Sequence, residues 1–80
     1  MTITIKYFGL VADITQRKEE ILFLEGAAQS LQSIQSKLEE KYPEIKNTNY
    51  SFAVNQTLVK EDFVLSDNDE MALLPPFAGG

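Results

Sequence analysis

The residues with the most specific chemical potential are the last six, Pro75-Pro76-Phe77-Ala78-Gly79-Gly80. Glycine has no Cβ, so a Gly-Gly end adopts backbone angles closed to other residues and passes through a channel too narrow for side chains. The expectation is a slim tail, residues 75–80, that carries the carboxylate of Gly80 into another protein's active site. An ordinary frayed end is the other meaning of Gly-Gly, because chain termini are commonly disordered, and the dipeptide alone leaves both open. The remaining inventory narrows the chemistry by omission. With no Cys and no His among its 80 residues, the chain offers no thiol nucleophile, no imidazole base and no ordinary zinc site. Carboxylates remain as candidate acids or metal ligands. Glu19-Glu20, Glu39-Glu40, Glu61-Asp62 and Asp67/Asp69/Glu70 are expected at helix surfaces, strand ends or turns, where charge is solvated. Asp67-Asn68-Asp69 lacks the glycine and the closing glutamate of a calcium loop and reads as a turn. Gly9 and Gly26 stand alone, so no glycine-rich phosphate loop is present. Neither a metal nor a permanently bound cofactor is expected.

Net charge is −5, from 12 acidic and 7 basic residues, and the bases form no stripe, so nucleic acid is not expected as a partner. Glu61, Asp62, Asp67, Asp69 and Glu70 are followed by no Lys or Arg up to Gly80. That imbalance suggests a negative surface around the tail and a basic groove on whatever receives it, or acidity that simply keeps a small protein soluble. No apolar run reaches membrane-spanning length, and Met1-Thr2-Ile3-Thr4-Ile5-Lys6 lacks the features of a signal peptide, so the expected location is the cytoplasm, with no membrane partner. At 44% hydrophobic, residues 1–80 make one domain. A chain of this size buries only roughly 60% of its unfolded surface, and packing must hold it without disulfides.

Thr2 to Phe8 alternates, with Ile3, Ile5 and Tyr7 on one side and Thr2, Thr4, Lys6 and Phe8 on the other, the period-2 pattern of a half-buried strand. Gly9 to Lys18 reads as a connection, and Glu20 to Glu25 as a second strand returning as a hairpin arm. Ser30 is the expected N-cap of a helix whose core stripe is Leu31, Ile34, Leu38 and Tyr42, with Gln32, Ser33, Gln35, Lys37 and Glu39 facing water. Pro43 ends it. A loop over 46–51, short strands over 52–55 and 57–59 about an Asn55-Gln56 turn, an acidic turn over 66–69 and a last strand over 70–74 complete the chain. Pro75-Pro76 stop the ladder, so the tail leaves the sheet there. This order gives an α+β domain, a mixed sheet covered by one main helix. If Met71 and Leu73 join Ile3, Ile5 and Tyr7 under the helix, Phe8 and Leu74 point outward from an otherwise polar face. They then form a candidate docking patch, each contributing roughly 1.5–3 kcal/mol if buried by a partner. Single exposed apolar residues are also common without meaning.

Val54-Asn55-Gln56-Thr57-Leu58-Val59, the acidic turn ending in Asp69-Glu70, the opening Tyr7-Phe8-Gly9 and the Pro75-to-Gly80 tail together resemble the small, sulfur-carrying subunit of molybdopterin synthase, along the whole chain. The resemblance implies the ubiquitin-like β-grasp fold with a flexible Gly-Gly tail. It implies that Gly80 is adenylated with ATP by a ubiquitin-activating-like adenylyltransferase and then converted to a thiocarboxylate by a sulfur-donating enzyme. Chemically, a carboxylate with a pKa of about 3.5 is ionised and inert at neutral pH, so it needs activation before sulfur enters. In the family the tail inserts into the large catalytic subunit and sulfur passes to cyclic pyranopterin monophosphate in molybdenum cofactor biosynthesis. The chain then acts enzymatically only as the sulfur-donor subunit, with no active site of its own. The resemblance further implies Phe8, Leu58 and Leu74 on the docking surface, Gly79 giving the slim approach, Pro75-Pro76 stiffening the exit, and a heterotetramer of two small and two large subunits. The chain departs from the family at Leu73-Leu74, where aromatic residues are frequent, and Phe77-Ala78 fall at variable positions.

Three other readings share features with this one. A sulfur carrier for the thiazole of thiamine has the same fold and Gly-Gly end, but is usually shorter and lacks the Val54 to Val59 pattern and the proline pair. A ubiquitin-like modifier uses the same activation but ends in a bond to protein lysines. A β-grasp binding module would retain its activity without Gly79-Gly80.

Overall fold

The computed structural model describes residues 1–75. The alternating run forms β1 (Thr2–Tyr7), whose Ile3, Ile5 and Tyr7 are buried, and the last strand is β7 (Glu70–Leu74), with Met71 and Leu73 buried. These two strands pair in parallel, Ile5 with Met71 and Tyr7 with Leu73, so the two inward rows meet side by side. β2 (Glu19–Phe23) returns antiparallel along the other edge of β1, and β4 (Ser51–Val54) runs antiparallel to the far side of β7. β5 (Thr57–Leu58) folds back on β4, giving the order β2-β1-β7-β4-β5. Asn55 and Gln56 turn this last hairpin with φ of 50° and 70°, the paired positive angles of a type I′ turn.

Helix α2 (Leu31–Lys41) covers one face of the sheet. The Ser30 hydroxyl accepts a bond from the Ser33 N–H at 3.2 Å, filling one of the donors a helix N-terminus leaves open. Leu31, Ile34 and Leu38 are fully buried against Ile3, Ile5, Met71 and Leu73, as the stripe predicts. Tyr42 is only half-buried, and Pro43 begins a 3₁₀ helix, Pro43–Asn47, that inserts Ile45 into the core. Two of the positions expected to face water, Gln35 and Glu39, are half-buried and each bonds the Tyr50 hydroxyl at 3.1 Å.

Three elements depart from the sequence reading. The supposed connection after β1 contains α1 (Gly9–Thr15), which buries Val11 and Thr15 and closes at Gln16 in left-handed geometry, φ 57°. The sheet therefore has two helices on its core side. Residues Ala28–Ser30 (β3) and Val64–Ser66 (β6) pair antiparallel as a separate two-stranded ribbon, and this pairing drives Leu65 into the core. Among the described residues no buried side-chain nitrogen or oxygen lacks a partner, and no helix is long and apolar enough to cross a membrane. A mixed five-stranded sheet with β1 and β7 parallel at its centre and the main helix across it is the α+β, ubiquitin-like β-grasp arrangement.

Candidate functional site

The end of β7 sets where the chain leaves the sheet. That strand stops at Leu74, as the prolines require, and Pro75 comes next, exposed at the surface. Pro75 leans on Gly9, whose φ of +57° places it in the left-handed region. A Cβ on Gly9 would come within 3.3 Å of the Pro75 Cβ and Cγ, so the bare glycine seats the ring at the point of exit. The remaining tail assignments, Pro76, Phe77, Ala78, Gly79 and the Gly80 expected to react, lie outside the described residues.

Beside the exit, the sheet face opposite α2 is open. Phe8, Leu58 and Leu74 border a shallow groove there, with Ala53 and Ala72 among its lining and Lys6, Gln56 and Glu70 completing it. The register explains the shape. Lys6, Ala72, Ala53 and Leu58 stand in one row across β1, β7, β4 and β5, so two methyl groups separate the larger side chains. Phe8 is 43% and Leu58 57% exposed. Leu74 points to this face but is half-buried, a correction to the outward exposure expected of it, because it sits opposite Ser51 of β4 and beside Phe8. Strand alternation predicted Phe8 and Leu74 on this face. The alanine pair gave no signal, since small residues draw attention only once their neighbours are known.

The open face is not otherwise polar, as the sequence reading supposed. Ile21 and Phe23 of β2 share it, 53% and 82% exposed, at the corner away from the groove. Nor is the acidic run gathered at the exit. Asp67 accepts the Thr2 N–H at 2.7 Å and Asp69 accepts the Ser66 N–H at 2.8 Å and the Asn55 side-chain amide at 3.0 Å. These bonds tie the turn to the beginning of β7, the end opposite the tail, and Glu70 pairs with Lys6 at 3.5 Å. As read from the sequence, Asp67 to Asp69 is a turn. No group of three or more potential metal ligands occurs among the described residues.

Glu20 overturns the expectation that every carboxylate is solvated. It is buried at 8% exposure because its β1 partner is Ile5, which places its side chain on the core side of the sheet. The Tyr7 hydroxyl donates to its Oε1, Lys41 Nζ donates to Oε2 at 2.9 Å, and the Tyr42 hydroxyl lies 3.2 Å from both oxygens. Arg17 adds a looser ion pair at 3.6 Å. Burial alone would raise the carboxyl pKa, but the hydrogen bonds from Tyr7 and Lys41, the Lys41 charge and the Tyr42 bond outweigh it and hold Glu20 below its usual value. The same burial, with the bond to Glu20, pushes the Tyr7 phenol far up. A cluster whose charges are paired and whose groups are fully bonded has no spare base or acid to offer a substrate, so Glu20 acts here as a brace. It ties β1 and β2 to the end of α2, through the residue just before Phe8.

The sequence pattern of the ThiS family matches residues 5–80. A molybdopterin synthase sulfur carrier subunit of Mycobacterium tuberculosis (strain ATCC 25618 / H37Rv) is 30% identical over 82 residues, spanning 98% of this chain and 96% of that protein. Among solved structures, the complex of subunits 1 and 2 of the molybdopterin-converting factor from Helicobacter pylori 26695 has a chain 30% identical to this one, with both chains covered in full (100%) and a TM-score of 0.66. A Pyrococcus furiosus structure named for molybdopterin converting factor, subunit 1, superposes with a TM-score of 0.86 at 20% identity, covering 96% of this chain and 99% of that one, which speaks to the fold. Matched by the family pattern from residue 5 to residue 80, and along nearly all its length by a relative at 30% identity, the chain belongs to the ThiS family.

Proposed function

We propose that this chain is the sulfur carrier subunit of a molybdopterin synthase. The observation that carries the reading is the near full-length match to a protein of that name, in a chain that ends in Gly79-Gly80 and contains neither Cys nor His. The Gly80 carboxylate attacks the α-phosphorus of ATP on a ubiquitin-activating-like adenylyltransferase, releasing pyrophosphate and leaving an acyl adenylate. A sulfur-donating enzyme then supplies sulfur to the carbonyl carbon: a C–S bond forms, the C–O bond to AMP breaks, and a thiocarboxylate remains. The large catalytic subunit takes the tail and passes the sulfur to cyclic pyranopterin monophosphate, and water restores the Gly80 carboxylate as its C–S bond breaks. In this scheme Phe8, Leu58 and Leu74 dock the carrier while Pro75 and Gly9 aim the tail.

The family pattern is shared with carriers that serve thiamine thiazole synthesis, and the named relatives above favour the molybdopterin acceptor over that one. The experiment is reconstitution with a large subunit, an activating enzyme, ATP and a sulfur donor, comparing the full chain with one lacking Gly80. Transfer to cyclic pyranopterin monophosphate should vanish on deletion with the unfolding temperature unchanged. Transfer that survives the deletion would overturn the role of Gly80. A carrier that charges normally but passes sulfur only to a thiazole-forming system would replace the acceptor.

A further inference from the structure

Among the described residues no strand lies beside the outer edge of β2, which ends the five-stranded sheet. Its backbone polarity can be read from its bonds to the opening of the chain. Met1 and Leu24 exchange both backbone bonds, at 2.5 and 2.8 Å, and the Tyr7 N–H donates to the Lys18 carbonyl at 2.8 Å. In an antiparallel pair, bonded and non-bonded positions alternate. Lys18, Glu20, Leu22 and Leu24 therefore face β1, and the N–H and C=O groups of Glu19, Ile21 and Phe23 point away from the sheet. The side chains of these three lie on the open face, opposite Lys6, Thr4 and Thr2. Unpaired backbone groups thus coincide with two large exposed apolar side chains. Sheets normally mask such an edge with charge, proline or a bulge. Along this strand the only exposed charge is Glu19, which is set across from Lys6.

We propose that this edge pairs with β2 of a second copy of the chain, antiparallel about a two-fold axis at Ile21. Outward backbone groups must meet outward groups, which leaves axes at Glu20, Ile21 or Leu22 as registers that keep a useful overlap. Charge chooses among them, since like charges opposite one another repel and unlike charges attract. An axis at Leu22 sets Glu19 against Glu25 of the second copy, twice. An axis at Glu20 brings the two Glu20 residues face to face and leaves Phe23 beside Arg17, outside the ladder. With the axis at Ile21, the two Ile21 side chains meet and Phe23 crosses Glu19. Each Phe23 is then diagonal to the second copy's Ile21, about 7–8 Å away and within reach of an aromatic ring. Just beyond each end of the paired strands Arg17 comes opposite Glu25, and both residues are exposed in the single chain. The sheet then runs continuously through both copies. The groove of Phe8, Leu58 and Leu74 stays uncovered in each, and the two β7 strands end at opposite ends of the joint sheet. An interface built on one strand edge falls below about 1,200 Å², the size range of weak and transient association. The pairing is therefore concentration-dependent.

Sedimentation of the full chain from about 1 µM to about 500 µM, a range that brackets micromolar association, tests this directly. The expected result is a monomer at the low end and a dimer at the high end. Ile21→Lys and Glu25→Arg should each stay monomeric at the top concentration. Arg17→Glu should do the same, and an equimolar mixture of Arg17→Glu and Glu25→Arg should dimerise again, because every arginine then faces a glutamate. Arg17 also touches Glu20, so the unmutated chain supplies an independent measure: amide exchange at Glu19, Ile21 and Phe23 should slow as concentration rises while that of other exposed amides does not. A chain that remains monomeric throughout, or a dimer that Ile21→Lys and Glu25→Arg leave intact, would overturn the proposal. None of these readings depends on sulfur transfer, so failure here leaves the proposed function standing.

Discussion

Replacing Glu20 by alanine removes the acceptor shared by Tyr7, Lys41 and Tyr42, and the environment of each partner decides which one is left worst off. Lys41 and Arg17 side chains are 49% and 55% exposed, so their charges rehydrate at little cost. Tyr42 is half-buried, less enclosed than Tyr7. Tyr7 is only 2% exposed, and its hydroxyl is left without a partner. An orphaned buried donor costs about 1–3 kcal/mol, so Glu20→Ala should destabilise the domain by about 2 kcal/mol. Against a total of about 4–12 kcal/mol for a domain this size, that is a large share. It corresponds to a fall of about 8–16 °C in Tm. Thermal and urea unfolding followed by circular dichroism measures it, with Lys41→Ala as the comparison, expected to cost less than Glu20→Ala because Tyr7, Tyr42 and Arg17 remain beside the carboxylate. The decisive variant is Tyr7→Phe placed on Glu20→Ala. If the orphaned phenol is the cause, removing it restores most of the lost stability. No recovery in the double variant, or a cost for Lys41→Ala equal to that of Glu20→Ala, would refute the reasoning.

The docking groove predicts a different ranking. Phe8→Asp and Leu58→Asp should weaken binding to a large synthase subunit by tenfold or more, about 1.4 kcal/mol, while changing Tm less, because both side chains lie at the surface of the free chain; calorimetric titration beside a melting curve separates the two effects. On the acid side, Glu20 is held below its usual value of 4.5, so the folded state favours the charged form. That contribution is complete above pH 4.5 and disappears as pH falls through the lower folded value, and Glu20→Gln should flatten this limb of the stability profile. On the alkaline side, burial pushes the Tyr50 phenol from 10.0 up to about 12, with Glu39 reinforcing the shift against the Gln35 bond. The unfolded chain ionises first, so stability should decline as pH rises from 10 towards 12, and Tyr50→Phe should remove that part of the decline.

Legibility in the sequence depends on how local each signal is. β1 is readable because it buries one face only, so alternation marks its residues, and β7 because its apolar run is stopped by Pro75-Pro76. α2 is readable from its cap at Ser30 and the spacing of Leu31, Ile34 and Leu38. α1 is not: it is seven residues long, has no side-chain cap at Phe8 and buries only Val11 and Thr15, too few positions to establish a period. β3 and β6 are three-residue strands whose reason for being extended is each other, Gln29 beside Leu65, across a long stretch of chain. Glu20 illustrates the same limit. Ile21-Leu22-Phe23-Leu24 is apolar throughout and so carries no parity. Only the pairing of Glu20 with Ile5 shows that the glutamate faces in and Phe23 faces out. Its partners Tyr7, Lys41 and Tyr42 are brought together by the fold. The groove is half legible: alternation places Phe8 and Leu74 on the open face, the family resemblance supplies Leu58, and the Ala53–Ala72 pairing emerges only with the register.

If the domain is a carrier as proposed, its reactive atom is installed at Gly80. Intact mass of the protein after incubation with an activating enzyme, ATP and a sulfur donor, with fragmentation to locate the change, tests it most directly. The expected result is a gain equal to the exchange of one oxygen for sulfur, confined to Gly80 and absent when ATP is withheld. An unchanged mass, with the same activating enzyme shown to charge another carrier, would contradict it and leave a β-grasp binding module in its place.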